Sequence, residues 1–162
     1  MHKIIICSHD EKLIPIKKTD WSVCWDLKIA KDFNIWAWEY GKVGTWVKVY
    51  MPIGWHCKIY ARSGLPGKMG LMKANHVGVM DSDYRGEYIL QFYNFTKEDK
   101  TFDKYTRLSQ IEFAPYYIGS EKFGQLDAPK LEIIIDQETY DNFADLYPSQ
   151  RGEWRFNSTG HN

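Results

Sequence analysis

The chain has little that would carry it out of the cytoplasm. Its only N-terminal apolar run, Ile4-Ile5-Ile6-Cys7, meets His9-Asp10-Glu11-Lys12 at once, so it is too short and too soon charged for a signal peptide or a membrane span. Net charge is missing as well. Lys plus Arg and Asp plus Glu both number 21, so no whole-molecule field draws the chain to nucleic acid or to an acidic membrane, and any anion site has to be local. Cysteine is scarce: Cys7, Cys24 and Cys57 are an odd number without close pairing, which argues against a disulfide framework and fits buried thiols in a reducing compartment. Internal repeats, low-complexity tracts and linkers are absent too, and 162 residues suit one domain with a core of its own. The expectation is a cytoplasmic protein, in a cell or an infected host cell, with no membrane and no nucleic acid as partner.

Aromatic residues are abundant. Seven Trp, eleven Tyr and eight Phe fall mostly in short alternating runs: Trp36-Ala-Trp38-Glu-Tyr40, Thr45-Trp-Val-Lys-Val-Tyr50, His56-Cys-Lys-Ile-Tyr60 and Tyr88-Ile-Leu-Gln-Phe-Tyr93. A period of two in aromatic and β-branched residues, cut by Gly41, Gly44, Pro52, Gly54 and Gly86, predicts the strands of an all-β barrel or sandwich. One stretch breaks the pattern. Positions 140, 143, 144 and 147 have helical spacing, Asp136 can cap the start and Pro148 marks the stop, so one short helix is expected in the 136–147 region.

Two segments carry chemistry on their residue types. In Gly78-Val-Met-Asp-Ser-Asp-Tyr-Arg-Gly-Glu87 the acid Asp81 stands at a tight polar turn after an apolar run, where a carboxylate can activate water, although Asp-Ser-Asp is also common turn chemistry. Arg62-Ser63-Gly64 offers a permanent cation, a hydroxyl and flexible backbone N–H groups in a loop after a strand, which is what phosphate oxygens require. Gly67-Lys68 is not a P-loop, because Arg62 takes the place of the first glycine and Met69 stands where Ser or Thr would hold magnesium. No His, Cys and carboxylate cluster has the spacing of an all-protein metal cage.

Three further segments complete an ordered set: Trp25-Asp-Leu-Lys-Ile-Ala30, Arg107-Leu-Ser-Gln110 and Arg151-Gly-Glu-Trp-Arg-Phe-Asn-Ser-Thr-Gly160. With Ala61–Lys68 and Gly78–Glu87 they resemble, in order, the five motifs of the homotrimeric dUTP diphosphatases (dUTPases), from about Leu13 to Gly160. The resemblance implies a jelly-roll-like β domain over 1–150 with a closing arm over 151–162, and a homotrimer with sites shared between subunits. It implies hydrolysis of dUTP to dUMP and diphosphate, with Mg²⁺ carried on the triphosphate and keeping several waters. Asp81 would then orient and deprotonate the water that attacks the α-phosphate. Arg62, Ser63, Gly64 and Gln110 would hold the phosphates, and Asp26 would steady the metal through water. Asn75 and Gly78, in a hairpin, would pair with uracil, while Tyr84 under the deoxyribose would leave no room for a 2′-hydroxyl. In the arm, Arg151, Ser158 and Thr159 would engage the γ-phosphate and Phe156 would cover the base.

The chain departs from the family in several places. Glu153, Trp154, Arg155 and Asn157 fill positions of a tail usually rich in glycine, and Tyr105-Thr106-Arg107 replaces Gly-Asp-Arg. The span from Gln110 to Arg151 is long for the family, which leaves an insertion over 119–150 as a packing embellishment, a new route for the tail, or a surface for a protein partner through Tyr140, Phe143 and Tyr147. The rival enzyme is the deaminase that acts on dCTP, or its bifunctional relative, which shares the fold. There a Glu moves the protons, and Gln91 in Leu90-Gln-Phe-Tyr-Asn94 cannot do so. A nucleotide-sensing interaction protein on the same fold is the rival from another class.

Overall fold

The computed structural model describes residues 3–116 and 129–153. Its strands are β1 (Lys3–Ser8), β2 (Trp25–Lys28), β3 (Phe33–Ile35), β4 (Tyr40–Gly44), β5 (Lys48–Tyr50), β6 (Trp55–Ala61), β7 (Leu71–Lys73), β8 (Gly78–Met80), β9 (Ile89–Asn94), β10 (Lys100–Phe102), β11 (Arg107–Pro115) and β12 (Lys130–Ile135). Three short helices join them: α1 (Gly64–Met69), α2 (Gln137–Asp141) and α3 (Phe143–Leu146). The sheets run β12-β1-β5, β2-β11-β6-β8, β4-β9-β7 and β10-β3. The expected all-β fold is therefore present, and the apolar faces of these sheets meet in one core that includes Leu27, Ile59, Tyr88, Leu90, Phe92 and Ile111.

β1 shows how the sequence builds two layers. It lies parallel to β12 with Lys3 opposite Lys130 and Ser8 opposite Ile135, and antiparallel to β5. Ile4 and Ile6 point into the main core, whereas Ile5 and Cys7 face the other way onto Tyr140 and Phe143. A strand covered on both faces reads as a continuous apolar run, which is why Ile4–Cys7 does not alternate. Burial pushes the Cys7 thiol up to about 11.

The helical stretch corrects one expectation. Asp136 does cap it, accepting from the Thr139 N–H at 2.5 Å, but the stretch is two short helices broken at Asn142 and not one. Tyr140 and Phe143 are buried against β1, with Tyr147 packed on the same cluster, which is the packing reading of this stretch. Two other local readings also change. The alternation Trp36-Ala-Trp38-Glu-Tyr40 is mainly a loop between β3 and β4, with Trp36 and Trp38 exposed and Trp38 at φ +63°. Gly64 opens α1 directly after Arg62 and Ser63, so that segment is only partly loop.

Lys73 is the unusual core residue. It is buried, lies 5.7 Å from the Phe92 ring centre, and no carboxylate among the described residues pairs with it. Burial lowers its pKa from the ordinary 10.5 to about 8. The unfolded chain then holds more protons between those two values, so this residue makes stability rise with pH from about 8 to about 10.5 and fall again as the pH is lowered. Lys73→Met should flatten that rise relative to wild type and raise stability at pH 7, read from urea unfolding at several pH values. By the same measurement Phe143→Ala should cost about 3–5 kcal/mol, because it opens a cavity between β1 and the helices.

Candidate active site

Three neighbouring strands assemble a cationic corner. Gln110 on β11 stands opposite both Asp26 on β2 and Tyr60 on β6, and β6 ends one residue before Arg62. The Asp26 carboxylate takes Arg62 Nε at 2.8 Å on one oxygen and Arg107 Nη1 at 3.0 Å on the other. Arg62 Nη1 also donates to the Arg107 carbonyl at 3.0 Å, and Gln110 Nε2 donates to the Ala61 carbonyl at 3.1 Å. Two guanidiniums on one carboxylate leave a net positive corner whose donors are held in place before any ligand arrives. They border a cleft of about 490 Å³ lined by Lys18, Ser22, Val23, Cys24, Asp26, Arg62, Ser63 and Gln110. Its chemistry suits polyanionic oxygen. Lys18 and Ser22 were not singled out in the sequence, since a polar loop of Lys, Thr, Asp and Ser carries no signal of which side chains converge.

The metal expectation can be tested on these donors. Among the described residues no three His, Cys, Asp or Glu side chains converge as a cation site. Both oxygens of Asp26 already accept from guanidiniums, and each keeps a lone pair that can accept from water. The Asp26 carboxylate thus fits contact with the water shell of a hydrated ion.

The acid lies at the other end of β6. β8 pairs with it antiparallel, Met80 opposite Cys57, and Asp81 then opens a turn closed by the Tyr84 N–H on the Asp81 carbonyl at 3.2 Å. The Asp81 side chain remains 57% exposed, and Arg151 Nη1 meets its Oδ2 at 2.5 Å. Tyr84 is buried: its ring stacks on Tyr88, its hydroxyl donates to the Glu87 carbonyl at 3.0 Å, and the Arg151 guanidinium lies 5.3 Å from the ring centre. Gly86 is required beside it, since a Cβ there would stand 2.5 Å from the Tyr84 hydroxyl oxygen. Asp81 borders a second cleft, of about 920 Å³, with His56, Ser82, Asp83, Arg85 and Tyr116. Burial lowers the pKa of His56 from its ordinary value.

Asn75 and Gly78 sit on a different kind of turn from the one expected. β7 pairs with β9 and β8 with β6, so residues 74–77 form an arch between two sheets and not a hairpin. The His76 N–H on the Lys73 carbonyl at 3.3 Å closes it, with His76 at φ +52°. The Asn75 Oδ1 is buried without a hydrogen-bond partner, an acceptor ready for a donor from outside the chain. Gly78 is buried against Ile59 and the Asn75 amide, where a Cβ would come within 3.3 Å of Asn75 Nδ2. Gln91 is engaged elsewhere: its Oε1 accepts from the Tyr40 hydroxyl at 2.5 Å.

The root of the C-terminal segment docks on its own chain. Ser149 Oγ donates to the Asp83 carbonyl at 2.5 Å, the Arg85 N–H donates to the Gly152 carbonyl at 2.7 Å, and Gly152 bridges Tyr84 in parallel. Glu153, one of the residues that depart from the family's tail, forms an ion pair at 2.6 Å with the buried Lys48, whose ammonium also lies 4.7 Å from the Tyr140 ring centre. Phe156, Ser158 and Thr159 lie outside the described residues, as do Trp154 and Arg155.

The two halves of the expected site do not meet within one chain. Asp81 leaves β8 beside His56, and Arg62 is six positions farther along β6. That is roughly 20 Å at about 3.3 Å per residue.

Comparison with known proteins shows the family. The dUTPase family model matches residues 10–130. A deoxyuridine 5′-triphosphate nucleotidohydrolase of Debaryomyces hansenii is 31% identical over 92% of this chain and 81% of its own length, and one from Lactococcus lactis is 33% identical over 65% and 75%. The crystal structure of the dUTPase from Streptococcus mutans superimposes with a TM-score of 0.67 at 32% identity, covering 70% of this chain and 94% of that one. Staphylococcus bacteriophage 80alpha dUTPase, as a G164S mutant with dUpNHpp, shares the fold over 98% of this chain at 16% identity and a TM-score of 0.66. With the family matched across three quarters of its length, on the strands that carry Asp26, Arg62, Asp81 and Gln110, this chain belongs to the dUTPase family.

Proposed function

We propose that the chain hydrolyses dUTP to dUMP and diphosphate in sites built between subunits of a homotrimer. The observation that carries this reading is the exposed Asp81 carboxylate, set on a rigid turn over Tyr84 and met by the Arg151 guanidinium, with a complementary cationic corner at the far end of the same sheet. Neither half is a phosphohydrolase alone. Two copies arranged head to tail bring the Asp81 end of one to the Arg62 end of the next, and a closed ring of such contacts repeats the pairing.

In this arrangement Asp81 orients a water by hydrogen bonding and takes its proton as the water oxygen attacks the α-phosphorus, while the α–β bridging oxygen leaves with the diphosphate. Arg62, Ser63, Gly64 and Gln110 hold the phosphate oxygens, and Arg107, locked on Asp26, keeps Arg62 pointed at them. Magnesium, when bound to the triphosphate, neutralises its charge, and Asp26 accepts from the metal's water shell. The 74–77 arch reads the base, with the buried, unpartnered Oδ1 of Asn75 as acceptor for a donor on the ligand side. Buried Tyr84 closes the floor under the sugar, where an added hydroxyl has no space. The arm from residue 151 onward closes over the nucleotide through Arg151, Phe156, Ser158 and Thr159 and excludes water. Three free cysteines accord with action in a reducing cytoplasm.

Diphosphate release should be fast for dUTP and slow for dCTP, dTTP and UTP with magnesium present, and Asp81→Asn should lower it by about 10²–10⁴-fold. Equal release from dUTP and UTP would count against the sugar floor, and no release from dUTP would overturn the function. Shared sites have a separate test. Asp81→Asn and Arg62→Ala chains should each be inactive alone, yet oligomers assembled from an equal mixture should regain about one working site in four. Mixtures as inactive as their parents would place the whole site in one chain.

A further inference from the structure

We propose that Arg85 is a positioning residue that ties the seating of the C-terminal segment to the geometry of the Asp81 turn. Arg85 is 4% exposed, and among the described residues no carboxylate forms an ion pair with its guanidinium. Backbone carbonyls surround it instead. Nη1 donates to the Ser82 carbonyl at 2.6 Å and to the Tyr84 carbonyl at 3.2 Å, and Nε donates to the Tyr147 carbonyl at 2.6 Å. One face of the guanidinium lies 4.9 Å from the Tyr50 ring centre.

A cation is expensive to bury, and burial lowers the pKa of this one from its ordinary value. What the arrangement gains is a rigid planar fork that spans two segments distant in sequence. One prong fixes the two carbonyls on either side of Asp83, inside the turn that Asp81 opens and Tyr84 closes. The other holds the last turn before Pro148, from which the C-terminal segment departs. The Arg85 N–H on the Gly152 carbonyl and Ser149 Oγ on the Asp83 carbonyl reinforce the same joint. A shift of the segment's root is therefore a shift of the turn, and Arg151 reaches Asp81 only when both are seated.

This inference rests on the dUTP-hydrolysis reading and deepens it, so the test has one arm that measures turnover and one that does not. Arg85→Met and Arg85→Lys would be made in the full chain, each with and without Arg151→Ala, and kcat and KM for dUTP measured with magnesium. Arg85→Met should lower kcat by on the order of tenfold, and adding Arg151→Ala should cost little more, because the guanidinium at 151 is already out of place. Arg85→Lys should restore thermal stability more than kcat, since an ammonium keeps the charge but loses the fork. Losses that simply multiply in the double variant, or an unchanged kcat in Arg85→Met, would overturn the proposal. In the second arm trypsin should cut after Arg151 several-fold faster in Arg85→Met than in wild type, while cleavage within the β domain stays the same. Equal rates after Arg151 would again overturn it. If wild type fails to hydrolyse dUTP, only the functional reading falls and the proteolysis arm still decides the coupling. If Arg85→Met does not fold, Arg85→Lys carries both arms.

Discussion

The ladder β2-β11-β6-β8 sets everything else. Because side chains alternate across a sheet, a slip of one residue between β2 and β11 would turn Gln110 to the opposite face from Asp26 and break up the cationic corner. The same ladder, through Met80 opposite Cys57, decides where β8 stops and Asp81 begins. Core residues on its buried face, Leu27, Ile59 and Ile111, hold that register, since a slip would turn them into solvent. Apolar packing on one side of the sheet thus fixes the electrostatics at its ends, which stand roughly 20 Å apart.

Around this frame the second layer serves the tail. β12 lies on β1, and α2 and α3 bury Tyr140 and Phe143 on the outward face of β1, which places Tyr147 where Arg85 can hold its carbonyl. Lys48, on the other neighbour of β1, reaches the Tyr140 ring and Glu153. What looks in the sequence like an addition to the family pattern is the platform from which the C-terminal segment departs.

Much of this was legible. Strands such as His56–Tyr60 and Ile89–Phe92 announce themselves by alternation, the Asp136 cap by its chemistry, and the family by ordered motifs whose members are local in sequence. The failures have physical causes. Trp36 and Trp38 alternate with Tyr40 like a strand but lie in an exposed loop before β4, because period two in aromatics does not reveal whether a sheet neighbour exists. Gly64, Pro66 and Gly67 hide α1, although proline is well placed in a first helical turn. The arch at 74–77 passed for a hairpin because pairing partners of β7 and β8 lie far away in sequence. Arg85, Lys73 and Lys48 are charged residues with buried roles, and nothing in their local context distinguishes them from surface cations.

The pair formed by Lys48 and Glu153 restricts which descendants of this sequence are open to it. Replacing Glu153 by an uncharged residue such as the serine usual in the family would strand an ammonium that is only 9% exposed, while replacing Lys48 first would leave the Glu153 carboxylate without its cation. Either single step is a loss, so the two positions have to change together or in the company of a third substitution. The altered tail is thus coupled to a strand of the body, and a tail grafted from a relative would be a poorer fit here than its sequence suggests.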